Sequence, residues 1–282
     1  MSVSPLVTRF APAPTGYLHL GHVLNAIYVW DIARASGPDA RVLLRIEDHD
    51  RSRSRQEYEA AILDDLQWLG FEPHGEPTRQ SDRTAVYEDA LASLRARGLT
   101  YVCECSRTEI GGGPYPGTCR DKDLSESSGR GVRVRMGATT DVFDDLRLGR
   151  QEQRPSEQCG DVLVRDRHGN WTYQFAVVAD DLSQGVNLVV RGEDLLDSTG
   201  RQIQLGRLLG REVPPSFLHH ELLMKTPAQK LSKSDGDTGV RDLRAAGWSA
   251  DAVIDRATRL AGVSRDRIAA LVLPQYLSSD IE

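Results

Sequence analysis

Apolar and polar positions occur in blocks that predict strands and helices along the first half of the chain. Residues 6–10 form a short extended run, and residues 42–46 form an apolar run without alternation, which is typical of a parallel strand covered on both faces. Between them, residues 18–30 predict a helix that follows a proline-containing loop. This order predicts a strand, loop and helix unit.

Two further helices are predicted from their capping signals. Ser54 and Glu57 fit a capping box before an apolar series at helical spacing, which Gly70 ends. The second helix covers residues 82–97, with Ser81 placed as its cap and a glycine directly after it. Alternating strands and helices predict an α/β fold with a doubly wound parallel sheet.

The middle and the end of the chain differ in character. Residues 100–135 contain three cysteines, a glycine run and a Ser/Gly-rich stretch, and they predict the core of an insertion. Short β-like runs at residues 132–135 and 162–164 belong with it, and a buried strand at residues 187–190 resumes the sheet. From Arg241 onward, apolar residues recur at helical spacing and predict a small helical appendix.

These changes divide the chain into four expected parts. They are the first half of a catalytic domain (1–99), an inserted domain (100–175), the second half of the catalytic domain (176–225), and a lysine-containing loop with the helical appendix (226–282).

Composition and net charge limit the class of protein and the kinds of partner that can be expected. The chain has 282 residues, of which 39% are hydrophobic, and this suits a globular protein with a sizeable core. A net charge of -6 excludes an overall positive field that would attract nucleic acid, so any RNA contact needs a local patch of positive charge.

No apolar run approaches the length of a membrane span and no leader pattern begins the chain, so a cytoplasmic enzyme without a membrane partner is expected. The clustering of three of the four cysteines favours a metal over disulfides.

The loop after the first strand places His19 and His22 one turn apart at the start of a helix, with Gly21 between them. Both imidazoles can face one ligand, and unpaired N–H groups at a helix N-terminus suit the phosphates of a nucleotide. A glycine at this position lets a flat base approach the backbone. The alternative is that one histidine caps the helix and the other belongs to the core.

A second motif reads Lys230-Leu231-Ser232-Lys233-Ser234 and is followed by Asp, Gly and Asp. Its two ammonium groups can stabilise the charge that develops on the phosphates of a nucleotide when pyrophosphate leaves. The alternative is a solvated surface loop.

Together the two motifs resemble the HIGH and KMSKS signatures of class I aminoacyl-tRNA synthetases, whose fold is a Rossmann-like doubly wound sheet. The resemblance implies ATP with Mg²⁺ as the activating substrate. It implies His19, His22, Lys230 and Lys233 as catalytic residues, and His19, Gly21, His22 and Lys233 as ATP-binding residues.

The residues around these signatures resemble the glutamyl-tRNA synthetase family over most of the chain. The matching segments are Arg9 with the Ala-Pro-x-Pro-Thr-Gly loop, and residues 45–48, 173–178 and 190–194. The resemblance implies that Arg9 and Arg191 hold the carboxylates of L-glutamate. Two guanidinium groups suit a dicarboxylate, since they bind carboxylates in a bidentate manner.

The rest of the implied glutamate site lies on the same segments. Glu47 takes the ammonium group and Tyr173 lines the pocket, together with the loop residues Phe10, Ala11, Pro12 and Ala13. The family normally carries serine at the position of Ala13, so any side-chain hydrogen bond from that position is lost here.

Cys103, Cys105 and Cys119 are close enough in sequence to bind one tetrahedral zinc ion as thiolates. The residues alone leave the fourth ligand open. Resemblance to the short glutamyl-queuosine tRNA-Asp synthetases, which bind zinc through Cys-x-Cys and Tyr-x-x-x-Cys, implies Tyr115 as that ligand. The alternative is a group of buried reduced cysteines without metal.

The same resemblance implies that the chain transfers glutamate to queuosine in the anticodon loop of tRNA-Asp, because it ends soon after the lysine motif and no anticodon-reading domain is expected. A truncated enzyme that charges the 3′ end of tRNA-Glu is one alternative, and a non-catalytic RNA-binding paralogue is another. The candidate phosphate contacts, if they are not solvated surface, are Arg51, Arg53, Arg55, Arg120, Lys122, Arg130, Arg133 and Arg135.

Overall fold

The computed structural model of the chain describes residues 4–50, 53–226, 229–230 and 239–271. Its helices in these ranges are α1 (Leu20–Ala35), α2 (Gln56–Trp68), α3 (Thr84–Ala96), α4 (Arg107–Ile110), α5 (Pro155–Gln158), α6 (Tyr173–Ser183), α7 (Thr199–Leu208), α8 (Val240–Ala245), α9 (Ala250–Ala261) and α10 (Arg265–Ala269). Its strands are β1 (Val7–Phe10), β2 (Arg41–Ile46), β3 (Thr78–Arg79), β4 (Thr100–Cys103), β5 (Gly131–Val134), β6 (Asp141–Asp145), β7 (Gly149–Gln153), β8 (Val162–Arg165), β9 (Leu188–Gly192), β10 (Ser216–His220), β11 (Met224–Thr226) and β12 (Gln229–Lys230). Among the described residues, no helix is long and apolar enough to cross a membrane.

The strands that carry the predicted motifs lie side by side. β1, β2 and β3 pair in parallel, and β10 pairs in parallel with both β9 and β6. β9 lies next to β1, since the Asn187 N–H donates to the Val7 carbonyl at 2.9 Å and the Val7 N–H donates to Asn187 Oδ1 at 2.8 Å. The α/β prediction is confirmed, but the sheets are mixed rather than parallel throughout. β7 runs antiparallel to β6, because only three residues connect these two strands and so short a connection reverses the chain.

Helix α1 is the centre of the largest core. Eleven of its residues are buried, which exceeds the one apolar stripe of a surface helix, because α1 has partners on several sides. Besides the sheet, it packs against α9 and α10, and Val253 and Ile268 from these two helices belong to the same apolar cluster as Leu24 and Ile27. The described helices of the C-terminal segment therefore share the core of the catalytic part.

The insertion has its own small sheet. β5 pairs antiparallel with β4 on one side and β8 on the other. Val134 and Val164 from this sheet pack with Leu91 of α3 and Phe175 of α6 in a second apolar cluster. The insertion is thus fixed to the catalytic part through α3 and α6.

The predicted helix stops are right and the predicted caps are wrong. Gly70 and Gly98 follow α2 and α3 with φ of 75° and 66°, conformations that favour glycine. However, α2 starts after Arg55 without a side-chain cap, and the Ser54 hydroxyl is buried without a hydrogen-bond partner. Ser81 lies in a 3₁₀ turn before α3, where its N–H donates to Asp48 Oδ1 at 2.8 Å.

Candidate active site and metal centre

A cavity of about 590 Å³ opens between β1, β9 and the start of α1. Nearly all of the predicted substrate residues that the structure describes line it together: Arg9, Ala11, Pro12, Ala13, His19, Gly21, His22, Glu47, Tyr173 and Arg191. Phe10 does not line it, because its side chain is buried and its ring lies 5.6 Å from the ring of Trp30. Lys233 and the side chain of Lys230 lie outside the described residues.

The two histidines cap helix α1 reciprocally. The Gly21 N–H donates to His19 Nδ1 at 3.1 Å, and the His19 N–H donates to His22 Nδ1 at 3.1 Å. Since a backbone N–H always carries its proton, each Nδ1 is an acceptor, and each neutral ring carries its proton on Nε2. Both residues are half-buried and line the cavity, so neither belongs to the core.

Gly21 leaves room for the capping ring of His19. A Cβ atom at this position would lie 2.9 Å from Cε1 and 3.0 Å from Nδ1 of His19. A larger residue at position 21 would therefore force the His19 ring to shift from its capping position.

The described residue that follows the lysine motif contacts the first motif. Gly239 forms an antiparallel bridge with His19, and the Val240 N–H donates to the Leu18 carbonyl at 2.8 Å. Arg241 lies over the ring of Tyr17, with its Cζ atom 4.3 Å from the ring centroid. The segment that begins at Gly239 is therefore joined by backbone bonds to the first motif, next to the cavity.

Arg9 is held by a buried carboxylate. Arg9 Nε and Arg45 Nη1 donate to the same oxygen of Asp181 at 3.1 and 2.7 Å. Burial opposes ionisation of Asp181, but the two guanidinium groups outweigh it and hold its pKa below the usual range. Glu47 lies 3.5 Å from Arg45 Nη2, and burial raises its pKa although Arg45 and Arg9 oppose this. An ammonium group beside Glu47 would stabilise the ionised form of its carboxylate.

Arg191 is a buried cation whose hydrogen-bond partners are neutral. Its Nε donates to His219 Nε2 at 2.9 Å, its Nη1 to Gln202 Oε1 at 2.6 Å and its Nη2 to Thr199 Oγ1 at 2.8 Å. Within the described residues, no carboxylate forms an ion pair with it, and burial lowers its pKa. A buried charge without a counterion is costly, so this geometry favours an anionic ligand in the cavity.

Sequence reasoning missed Asp181, Gln202, Thr199 and His219, which all support the two arginines. For Asp181, the sequence does contain a signal. Two consecutive aspartates continue the apolar run 175–179 of α6, and a carboxylate within a buried helix face needs a cationic partner.

The cysteine cluster fits a four-coordinate metal ion. The sulfurs of Cys103, Cys105 and Cys119 lie within 4.8 Å of one another, and that of Cys105 is 3.5 Å from that of Cys119. The Tyr115 oxygen lies 3.5 Å from the sulfur of Cys103 and 4.0 Å from that of Cys105. Tetrahedral zinc with Zn–S bonds of about 2.3 Å separates its sulfur ligands by roughly 3.8 Å. The three thiols could therefore hold a metal ion, and the Tyr115 oxygen lies beside them.

A close backbone contact holds Tyr115 in this cluster. Tyr115 bridges to Gly160, and its N–H donates to the Cys159 carbonyl at 3.0 Å. Gly160 has a φ of 66°, and a Cβ atom there would lie 2.1 Å from the Tyr115 carbonyl oxygen. Only glycine satisfies both conditions.

Most of the cations that were predicted to contact phosphates form ion pairs or hydrogen bonds within the protein. Arg133 is buried, donates to Cys103 Sγ at 3.3 Å and lies 3.7 Å from the centroid of the Tyr115 ring, so its predicted phosphate contact is wrong. The others pair within the protein: Arg120 with Asp161, Lys122 and Arg130 with Glu104, Arg135 with Asp121, and Arg53 with Asp50. Arg51 lies outside the described residues, and Arg55 is exposed.

Comparisons with known proteins agree with this geometry. Residues 5–113 and 119–279 match the family model of the catalytic domain of class I tRNA synthetases (E and Q). A glutamyl-Q tRNA(Asp) synthetase of Rhodobacter capsulatus is 42% identical over 86% of this chain and 96% of its own length. A glutamate–tRNA ligase of Oleidesulfovibrio alaskensis is 40% identical over 92% of this chain, which spans 57% of that ligase.

The fold agrees with a solved structure as well. The crystal structure of a glutamate–tRNA synthetase from Elizabethkingia anophelis superposes with a TM-score of 0.77 and is 24% identical. The match covers 97% of this chain and 66% of the solved one.

Proposed function

The chain belongs to the class I tRNA synthetases of the E and Q type, and we propose that it uses ATP to convert L-glutamate to glutamyl-adenylate and then transfers the glutamate to queuosine in the anticodon loop of tRNA-Asp. The proposal includes a cytoplasmic location, where ATP and tRNA are available.

The arrangement of charges around the cavity is the observation that supports glutamate as the substrate. Arg191 is a buried cation with neutral partners, Arg9 lies on the same cavity wall, and Glu47 is the nearby anion whose pKa burial raises. Glutamate supplies two carboxylates for the guanidinium groups and one ammonium group for the carboxylate. Each charged group of the protein thereby gains an opposite charge in a site of low polarity.

ATP would occupy the end of the cavity at the start of α1. His19 and His22 accept backbone N–H groups at Nδ1, so their Nε2–H groups are the donors for phosphate oxygens. The glutamate α-carboxylate attacks the α-phosphorus, the bond to the pyrophosphate oxygen breaks, and Mg²⁺ accompanies the triphosphate. Lys230 and Lys233 then stabilise the leaving pyrophosphate from the lysine motif.

Support for the queuosine acceptor comes from the relatives. The Rhodobacter capsulatus protein, named glutamyl-Q tRNA(Asp) synthetase, aligns with this chain over 96% of its length. A queuosine hydroxyl would attack the carbonyl carbon of the adenylate, and AMP would leave. Charging of the 3′ end of tRNA-Glu would use the same cavity, and acylation of the two tRNAs distinguishes the two acceptors.

The metal of the insertion would be zinc. Cys103, Cys105, Cys119 and Tyr115 would hold it, and it would supply cross-links among the loops of the insertion rather than reaction chemistry. The spacing of the three thiols supports this, because thiolates so close together need a cation to offset their charge.

ATP–pyrophosphate exchange without tRNA tests the first half of the proposal. Exchange should depend on glutamate and remain at background with aspartate or glutamine. Exchange that is equal for glutamine, or absent with glutamate both with and without tRNA, would contradict glutamate activation.

A further inference from the structure

The residues behind Arg191 form a chain of hydrogen bonds that crosses three neighbouring strands. In the paired strands β9 and β10, Arg191 and His219 are register partners, and β10 pairs with β6, which ends in Asp145. Directly paired residues point to the same face of a sheet. His219 and Asp145 are both buried, at 0% and 3% exposure.

The positions of the protons in this series of hydrogen bonds follow from the groups at its two ends, Arg191 and Asp145. The guanidinium of Arg191 can only donate, so His219 Nε2 must be unprotonated where it accepts from Nε at 2.9 Å. The single proton of the neutral ring is then on Nδ1, which lies 2.7 Å from Asp145 Oδ2. The His219 N–H donates to the same carboxylate oxygen at 3.0 Å.

Asp145 is itself fixed by the backbone. Its Oδ1 accepts the N–H groups of Arg147 and Leu148 at 3.0 and 2.9 Å, in the connection between β6 and β7. With His219, these donors stabilise the carboxylate, so the pKa of Asp145 stays below its usual value although burial opposes this. The aspartate is thus ionised and accepts on both oxygens.

We propose that His219 and Asp145 are positioning residues for Arg191. Asp145 fixes the tautomer of His219, and the unprotonated Nε2 atom fixes the plane of the guanidinium in the orientation that binds a substrate carboxylate. This rests on the proposed role of Arg191 in glutamate binding. The other two partners, Gln202 and Thr199, hold the Nη atoms, and Thr199 Oγ1 also lies 3.2 Å from His219 Nε2. Loss of the histidine acceptor therefore frees Nε and removes a partner of Thr199, so the plane of the guanidinium is held less firmly.

Two substitutions at His219 separate this role from simple packing. In His219→Asn the amide can still donate to Asp145 but does not reach Arg191, whereas in His219→Gln the longer side chain carries an acceptor to the position of Nε2. The asparagine variant should weaken glutamate binding and raise the KM for glutamate about 10- to 100-fold, the range for a hydrogen bond to a charged group. The KM for ATP should stay within about 3-fold in both variants, and the glutamine variant should retain most of the glutamate affinity.

The control measurements test whether the variants fold and whether the wild type binds glutamate at all. His168→Asn changes an exposed histidine of the insertion and should leave both KM values unchanged. If His219→Asn lowers the melting temperature so far that the variant is not folded, Asp145→Asn provides the test instead. Its side chain has one amide oxygen, which cannot accept both from the backbone N–H groups and from His219. Equal glutamate affinity in the wild type and in the folded asparagine variants, by calorimetry, would overturn the proposal. A wild type that binds no glutamate would instead overturn the proposed function on which it rests.

Discussion

Among single residues, Arg191 provides the charge that a substrate carboxylate would neutralise. Arg191→Gln keeps a polar side chain but removes this charge, so the KM for glutamate should rise about 10- to 100-fold while the KM for ATP changes little. Steady-state pyrophosphate exchange measures both values. Arg150→Gln, at an exposed position of β7, is the matched control. A KM for glutamate equal to that of the control would refute the role of Arg191.

Lys233 is assigned a role in the transition state. Lys233→Ala should leave the fold intact and slow glutamate-dependent adenylate formation about 10²-fold or more, as expected for a charge contact made chiefly while pyrophosphate leaves. Single-turnover adenylate formation gives the rate directly. An unchanged rate would remove the lysine from the mechanism.

The charged residues that face the cavity could be predicted from the sequence, and their supports could not. Arg9, Glu47 and Arg191 lie in contiguous motifs, so a resemblance identifies them. His219 and Asp181 reach them only through strand and helix packing between segments far apart in sequence. The two aspartates in the buried run of α6 do signal a cationic partner, but no local periodicity identifies which cation it is, and His219 carries no such signal.

At the level of elements, the contact between α2 and α8 contains a buried acid. Asp65 is 2% exposed, its Oδ2 has no hydrogen-bond partner, and burial, with Asp64, raises its pKa to about 6. A carboxyl group whose pKa is raised in the folded state contributes stability at low pH that is lost as the pH rises from about 4 through 6.

Asp65→Asn should therefore stabilise the protein at pH 8 by about 1–2 kcal/mol, and the gain should vanish near pH 4. Urea unfolding at several pH values measures the free energy of unfolding. Asp64→Asn, at the exposed neighbour that pairs with Arg244, should change it by less than about 0.5 kcal/mol. A gain for Asp65→Asn that is independent of pH would exclude titration as its cause.

The position of Tyr115 in the cysteine cluster depends on the close contact at Gly160. Protein purified without chelator should contain about one zinc per chain, and Gly160→Ala should lower this content, because its Cβ would displace Tyr115. Gly169→Ala is the matched control, since it also replaces a glycine with positive φ but meets only the Arg165 side chain at 3.9 Å. Elemental analysis measures the zinc content per chain of the wild type and of both variants. Wild-type protein without zinc would contradict the assignment of the metal.

Element ends and strand directions show where local patterns fail. Glycine stops were predictable because positive φ is a local requirement, as at Gly70 and Gly98. The starts of α2 and α3 were not, since Arg55 and Arg83 precede them without any side-chain cap. The hairpin of β6 and β7 was also missed, although the alternating burial of β6 is the period of a half-covered antiparallel strand.

Considered as a whole, the molecule keeps the candidate active site apart from the cysteine cluster. Among the residues that the structure describes, the cavity and this cluster have none in common, and the cluster packs separately from the main core. Loss of the metal should therefore loosen the insertion and leave glutamate-dependent exchange largely intact.

Acylation of tRNA-Asp tests most directly whether the chain passes activated glutamate to queuosine. Labelled glutamate and ATP are incubated with tRNA-Asp from cells that can and cannot make queuosine, and with tRNA-Glu, and the label is located by nuclease digestion. We expect label only in the queuosine-containing tRNA-Asp, in its anticodon loop. Equal labelling of both tRNA-Asp pools would contradict the proposed acceptor, and label at the 3′ end of tRNA-Glu would identify an enzyme that charges tRNA-Glu.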